Sequence, residues 1–198
     1  MKNIVVLVSG GGTNLQALID AENSGIIKSG KINLVISNNP DAYALERAKK
    51  ADIKTAVCNK KVLGSDFEEK LIEILEENKT DVIVLAGFMC ILSEKFTSCF
   101  ANRIINVHPS LIPSFCGKGF YGLKVHEAAI SYGVKLSGAT VHFVNEIPDG
   151  GRIVAQKAVE ILPGDTAEVL QRRVMEQAEW LLLPQAVELV SQEIIRQK

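Results

Sequence analysis

Short runs of apolar, largely β-branched residues punctuate the first 110 residues, and each is followed by a segment with the spacing of an amphipathic helix. Residues 4–8 (Ile-Val-Val-Leu-Val) are apolar at every position, which suits a strand covered on both faces. Residues 32–37, 54–58, 81–86 and 103–107 read as further strands. Between them, residues 14–23, 42–50, 65–78 and 94–101 read as helices. The clearest is 65–78, where Phe67, Leu71, Ile74 and Leu75 fall at i, i+4, i+7 and i+8 with acids and lysines opposite. Strand and helix in alternation call for parallel strands joined by right-handed crossovers. The expected fold is α/β, a doubly wound, mostly parallel sheet.

The second half changes character. Residues 122–132 suit a helix. Residues 137–145 and 153–161 alternate like strands on either side of Glu146-Ile147-Pro148-Asp149-Gly150-Gly151, and predict a C-terminal antiparallel pair. A long C-terminal amphipathic helix is expected from Thr166 onward, broken at Pro184. No repeat, low-complexity tract or linker interrupts the 198 residues, so one domain is expected.

Charge is nearly balanced, with 22 Lys and Arg against 23 Asp and Glu. That argues against nucleic-acid or anionic-membrane partners, which need a basic surplus, and leaves room for a small anion in a local pocket. Cys58, Cys90, Cys99 and Cys116 show neither a C-x-x-C pair nor zinc-ligand spacing, and read as reduced thiols. No His, Asp or Glu cluster has metal-ligand spacing, so no metal is expected. The N-terminal apolar run is too short for a signal peptide, and no stretch approaches the roughly 18 apolar residues of a membrane span. A cytoplasmic location is expected.

Doubly wound sheets gather ligands at the carboxyl ends of their strands. Three motifs stand there or nearby. Ser9-Gly10-Gly11-Gly12-Thr13-Asn14 joins a strand to a helix, and such a glycine turn offers the free N–H groups of a helix start to a phosphate. It lacks the third glycine of a dinucleotide fingerprint and the Gly-Lys-Ser/Thr of a Walker loop. A tight turn capped by Thr or Asn is the competing interpretation. Asn106-Val107-His108 ends a buried strand, and residues two apart point the same way. An amide beside an imidazole can stabilise an oxyanion while a proton moves. Asp149 sits in a turn-forming Pro-Asp-Gly-Gly; near His108 its carboxylate would favour the imidazolium and raise that pKa. His126 and His142 read as structural.

Taken in order, these segments resemble the phosphoribosylglycinamide formyltransferases, a folate-dependent formyltransferase family. The matching stretches are Val8 to Gln16, Ser37-Asn38, Leu85 to Met89, Ile91-Leu92-Ser93, Asn106 to Pro113, Gly138 to Val144 and Asp149-Gly150-Gly151. The resemblance covers nearly the whole chain. It implies a formyltransferase-like Rossmann variant that moves a formyl group from 10-formyltetrahydrofolate, as co-substrate, to the amine of 5'-phosphoribosylglycinamide in purine biosynthesis. It implies that Gly12, Thr13 and Asn14 hold the phosphate, and that Leu15, Gln16 and Glu179 contact the ribotide. Asn106 and His108 become catalytic, with Asp149 tuning His108. Met89, Cys90, Ile91, Leu92 and Val144 line the folate site, mainly through backbone groups. Residues 1–110 form a nucleotide-binding half, and residues 111–198 a folate-binding and catalytic-loop half. The implied partners are the two small molecules, with the protein a monomer or homodimer.

Three departures from the family pattern stand out. Cys90 replaces an Arg found in many members. Gly117 to Tyr121 are surplus in the loop before His126. One extra residue precedes Glu179, and Trp180 follows it in place of His. The related methionyl-tRNA formyltransferases and formyltetrahydrofolate hydrolases share the Asn, His and Asp pattern but carry appended domains for which 198 residues leave no room. A non-catalytic nucleotide-sugar-binding module is the rival of a different class.

Overall fold

A computed structural model describes residues 1–196. In chain order the elements are β1 (Lys2–Val8), α1 (Thr13–Asn23), β2 (Gly30–Ser37), α2 (Tyr43–Lys50), β3 (Lys54–Val57), α3 (Lys60–Leu63), α4 (Phe67–Glu77), β4 (Val82–Leu85), α5 (Glu94–Cys99), β5 (Ile104–His108), α6 (Leu123–Tyr132), β6 (Leu136–Phe143), β7 (Ile153–Glu160), α7 (Ala167–Val174) and α8 (Trp180–Arg196). The seven strands form one sheet in the order β3-β2-β1-β4-β5-β6-β7. The pairings from β3 through β5 are parallel, while β6 and β7 add antiparallel at the end. This is the expected doubly wound sheet with its antiparallel pair.

The apolar runs are explained by cover on both faces. Along β1, Ile4, Val6 and Val8 pack with α1 and α8 in one core, while Val5 and Leu7 pack with α4 and α5 in the other. β4 repeats this, with Val82 and Val84 on one side and Ile83 and Leu85 on the other. Phe67, Leu71 and Leu75 are the buried stripe of α4. Strand order reverses between β1 and β4, because β2 and β3 lie to one side of β1 and the later strands to the other. That crevice is where a ligand finds loops diverging from the strand ends.

Two local readings change. The helix expected from residue 65 is preceded by the one-turn α3 and a 3-10 turn, Gly64–Asp66. The long C-terminal helix is interrupted at a π turn, Met175–Glu179, and not at Pro184, which lies inside α8. In that wide turn the Trp180 N–H reaches back five residues to the Met175 carbonyl. Pro184 falls early in α8, so it removes one donor without stopping the helix.

Candidate active site

Leaving β1, the chain turns through the glycines into α1. Gly12 is the N-cap residue, with φ 73° and ψ 34°, and no side chain caps the helix. The capped-turn interpretation therefore fails here, and the first-turn N–H groups face outward at the positive end of the helix dipole. A Cβ at Gly12 would lie 2.6 Å from the Ala44 Cβ, so glycine is required by both conformation and space. Gly10 and Gly11 face open space. The side chain of Asn14 donates to the Glu179 carboxylate at 2.7 Å. Glu179 is buried, and burial pushes its carboxyl pKa up against the opposing pull of Asn14. Across the crevice, the Met89 N–H donates to the Ser9 hydroxyl at 2.8 Å, which ties the loop after β4 to the loop after β1.

At the end of β5, Ile105 and Val107 face the α1 and α8 core, and Asn106 and His108 take the opposite side. β6 runs antiparallel beside them and sets His142 directly opposite Asn106. Asn106 Nδ2 lies 3.3 Å from His142 Nε2. His142 Nδ1 donates to the Phe143 carbonyl at 2.8 Å, which fixes the orientation of the ring. Asp149 closes the group. Its Oδ2 lies 3.4 Å from His108 Nδ1, and its Oδ1 lies 3.5 Å from His142 Nε2. Asp149 also accepts the Gly117 N–H at 2.8 Å. Burial pushes the Asp149 carboxyl up, but His142, His108 and the Gly117 N–H together outweigh it and hold the pKa below the usual carboxylate value.

The electrostatics of His108 differ from expectation. Its Nε2 lies 2.9 Å from the Phe115 carbonyl, so Nε2 carries the proton and Nδ1 faces the Asp149 carboxylate. Asp149 does favour the imidazolium, as does Phe115. Desolvation of the buried ring is larger, and the net pKa is lowered, not raised. The ring is thus neutral near pH 7, with an ion-pair partner already beside its free nitrogen.

The structure thus brings Asn106, His108 and Asp149 into one cluster, and Gly12, Thr13, Asn14 and Glu179 into another. Leu15 and Leu92 are buried core residues, so each can offer a ligand only backbone groups. Gln16 is tied by its side chain to Arg47 and Asp20. Met89 and Ile91 are exposed beside half-buried Cys90 and Val144, and form an apolar ledge. The Cys90 thiol accepts from Asn38 Nδ2 at 2.9 Å. Three participants were not read from the sequence: His142, the Phe115 carbonyl and the Gly117 N–H. Only His142 left a signal, because Val141 and Phe143 face the core and so turn His142 toward Asn106.

Comparison with known proteins places this arrangement. The family model described as formyl transferase matches residues 2–187. The chain belongs to the formyl transferase family. A Haemophilus influenzae phosphoribosylglycinamide formyltransferase is 45% identical over 100% of this chain and 91% of its own length. The trifunctional purine biosynthetic protein adenosine-3 of Bos taurus is 43% identical over 98% of this chain, which spans 19% of that longer protein. The crystal structure of glycinamide ribonucleotide transformylase 1 from Symbiobacterium toebii aligns with a TM-score of 0.90 and 40% identity, over 98% of this chain and 89% of that one. Among the described residues of this formyl transferase chain, no group of three or more His, Cys, Asp or Glu is placed to hold a metal, and no helix is long and apolar enough to cross a membrane.

Proposed function

We propose that the chain transfers the formyl group of 10-formyltetrahydrofolate to the amine of 5'-phosphoribosylglycinamide. The observation that carries this reading is the cluster of Asn106, His108, Asp149 and His142 at the end of β5, two strands from an uncapped glycine turn. Two strand spacings are about 10 Å, within reach of one small phosphorylated sugar derivative. Its phosphate would rest on the N–H groups of residues 12–14, and its polar sugar would meet Glu179. The folate would lie on the ledge of Met89 and Ile91, with backbone groups of residues 89–92 reading its ring and Val144 beneath. In this reading the halves 1–110 and 111–198 share the folate site instead of the second holding it alone, because Met89 to Leu92 belong to the first, and Val144 and the catalytic carboxylate of Asp149 to the second.

The chemistry follows from the charges. The neutral substrate amine attacks the formyl carbon, and the carbonyl electrons move onto oxygen. Asn106 Nδ2 is placed to donate to that oxyanion. Neutral His108 takes the proton shed by the attacking nitrogen on its free Nδ1, and Asp149, 3.4 Å from that atom, stabilises the imidazolium so formed. The proton then passes to the departing folate nitrogen as the carbon–nitrogen bond breaks, and His108 returns to neutral. Loss of one oxyanion donor costs on the order of 10²–10³ in rate. Asn106→Ala is expected to fold and to lose activity on that scale, and His108→Ala to fold and to lose on the order of 10²–10⁴, the worth of a positioned acid–base group, both read as ribotide-dependent absorbance change on 10-formyltetrahydrofolate conversion. Wild-type turnover by His108→Ala would sink the assignment. Conversion without ribotide would indicate a hydrolase instead.

A further inference from the structure

The glycine turn does not hold its own shape; α2 holds it. The Ala44 N–H donates to the Gly10 carbonyl at 3.0 Å. One helical turn on, Arg47 Nε donates to the Gly11 carbonyl at 2.8 Å. In a trans peptide the carbonyl and the next N–H point in opposite directions. Two successive carbonyls anchored on α2 therefore turn the N–H groups of Gly11 and Gly12 away from α2. The same guanidinium donates through Nη1 to the Gln16 side chain at 3.1 Å, so Arg47 spans the turn from Gly11 to the second turn of α1. Its own position is fixed by the Tyr43 ring, whose centroid lies 5.0 Å from the guanidinium carbon. Packing agrees with this, because a Cβ at Gly12 would also come within 3.4 Å of the Arg47 Cδ.

Charge is the second consideration. The two acceptors bound by Arg47 are neutral, and among the described residues it makes no ion pair. A guanidinium stays protonated at any physiological pH. Among the described residues no carboxylate pairs with this charge, which stands directly behind a turn whose N–H groups face the other way.

We propose that Arg47 is a positioning residue for a phosphate monoester: it fixes the Gly11–Gly12 peptide so that the Gly12 N–H faces the anion, and it lends the turn a full positive charge. This rests on the reading that the ribotide phosphate sits on residues 12–14. The test compares KM for 5'-phosphoribosylglycinamide with KM for its dephosphorylated nucleoside in the wild type, Arg47→Met and Arg47→Lys. The wild type is expected to favour the phosphorylated substrate strongly. Arg47→Met is expected to raise KM for that substrate by about tenfold to a hundredfold, the worth of a charged hydrogen bond, with the loss in KM and not in kcat. KM for the nucleoside and for the folate should not follow, so discrimination by phosphate shrinks. Arg47→Lys keeps the charge and the stem but bonds one acceptor instead of two, so it should recover part of the loss; it also keeps the test readable if the Met variant is unstable. Unchanged discrimination in both variants overturns this inference alone. A wild type that does not discriminate overturns the phosphate site itself, and Arg47 with it.

Discussion

His126 offers the sharpest test of how burial sets charge in this fold. It lies on α6 at 0% exposure, and neither ring nitrogen has a partner among the described residues. Burial, with nearby His108 adding to it, pushes its pKa from 6.5 down to about 4. The sign follows directly. The unfolded chain takes up a proton near pH 6.5, while the folded chain resists until about 4, so the unfolded state binds more protons in between. Stability is therefore lost as pH falls through that window. At about 1.4 kcal/mol per tenfold in proton affinity, the whole window is worth on the order of 3 kcal/mol, and the part between pH 7 and 4.5 about 2 kcal/mol. His126→Leu removes the titration and the unpaired nitrogens while filling a similar volume. Urea unfolding of both proteins from pH 7 to 4.5 isolates the effect, because the other titrating groups largely cancel in the difference. The stability of the wild type relative to the variant should fall by about 2 kcal/mol across the series, or roughly 1 M in midpoint. A difference that stays flat with pH would refute the reasoning.

Two further outcomes are expected. In Asp149→Asn, the imidazolium loses its partner at 3.4 Å, so the NMR titration of His108 should move to still lower pH; turnover should fall by about tenfold to a hundredfold, the worth of a hydrogen bond to a charged group. A His108 titration that moves upward would contradict the pairing. In Gly12→Ala, a left-handed backbone and a 2.6 Å approach to Ala44 coincide, and denaturant unfolding should show a loss of about 2–4 kcal/mol, whereas Gly10→Ala, with open space around it, should stay within about 0.5 kcal/mol.

The strands were legible because both of their faces are covered, which leaves unbroken apolar runs such as residues 4–8. The α3 and 3-10 segment was not, because residues 59–66 show no apolar stripe and pack no buried residue of their own. At the site, Asn106 and His108 were visible as a pair because alternation along one strand is a local rule. Their partners depend on antiparallel register, which a sequence does not print. His142 comes opposite Asn106 only through the β5–β6 pairing, and Asp149 arrives on the turn beyond β6 with φ 56°, a conformation its Pro-Asp-Gly-Gly context already explained without any chemistry. The lowered pKa of His108 was out of reach for the same reason. Its burial involves a loop whose Phe115 carbonyl meets the ring, and the desolvation outweighs the one carboxylate that sequence could suggest.

The spacing before Glu179, which the family resemblance reads as one residue too long, has a counterpart in the backbone. An insertion within a regular helix rotates everything beyond it by about 100° and would carry either Glu179 or the Leu182, Leu183 and Val187 face away from its neighbours. A π turn takes up one residue without that rotation. The wide turn falls at Met175–Glu179, immediately after Val174 and ending on Glu179 itself. Val174 stays fully buried upstream, Leu183 and Val187 stay fully buried downstream, and the Glu179 carboxylate reaches Asn14 at 2.7 Å. The π turn thus keeps the apolar faces on either side of it buried while the acidic group stays at the glycine turn.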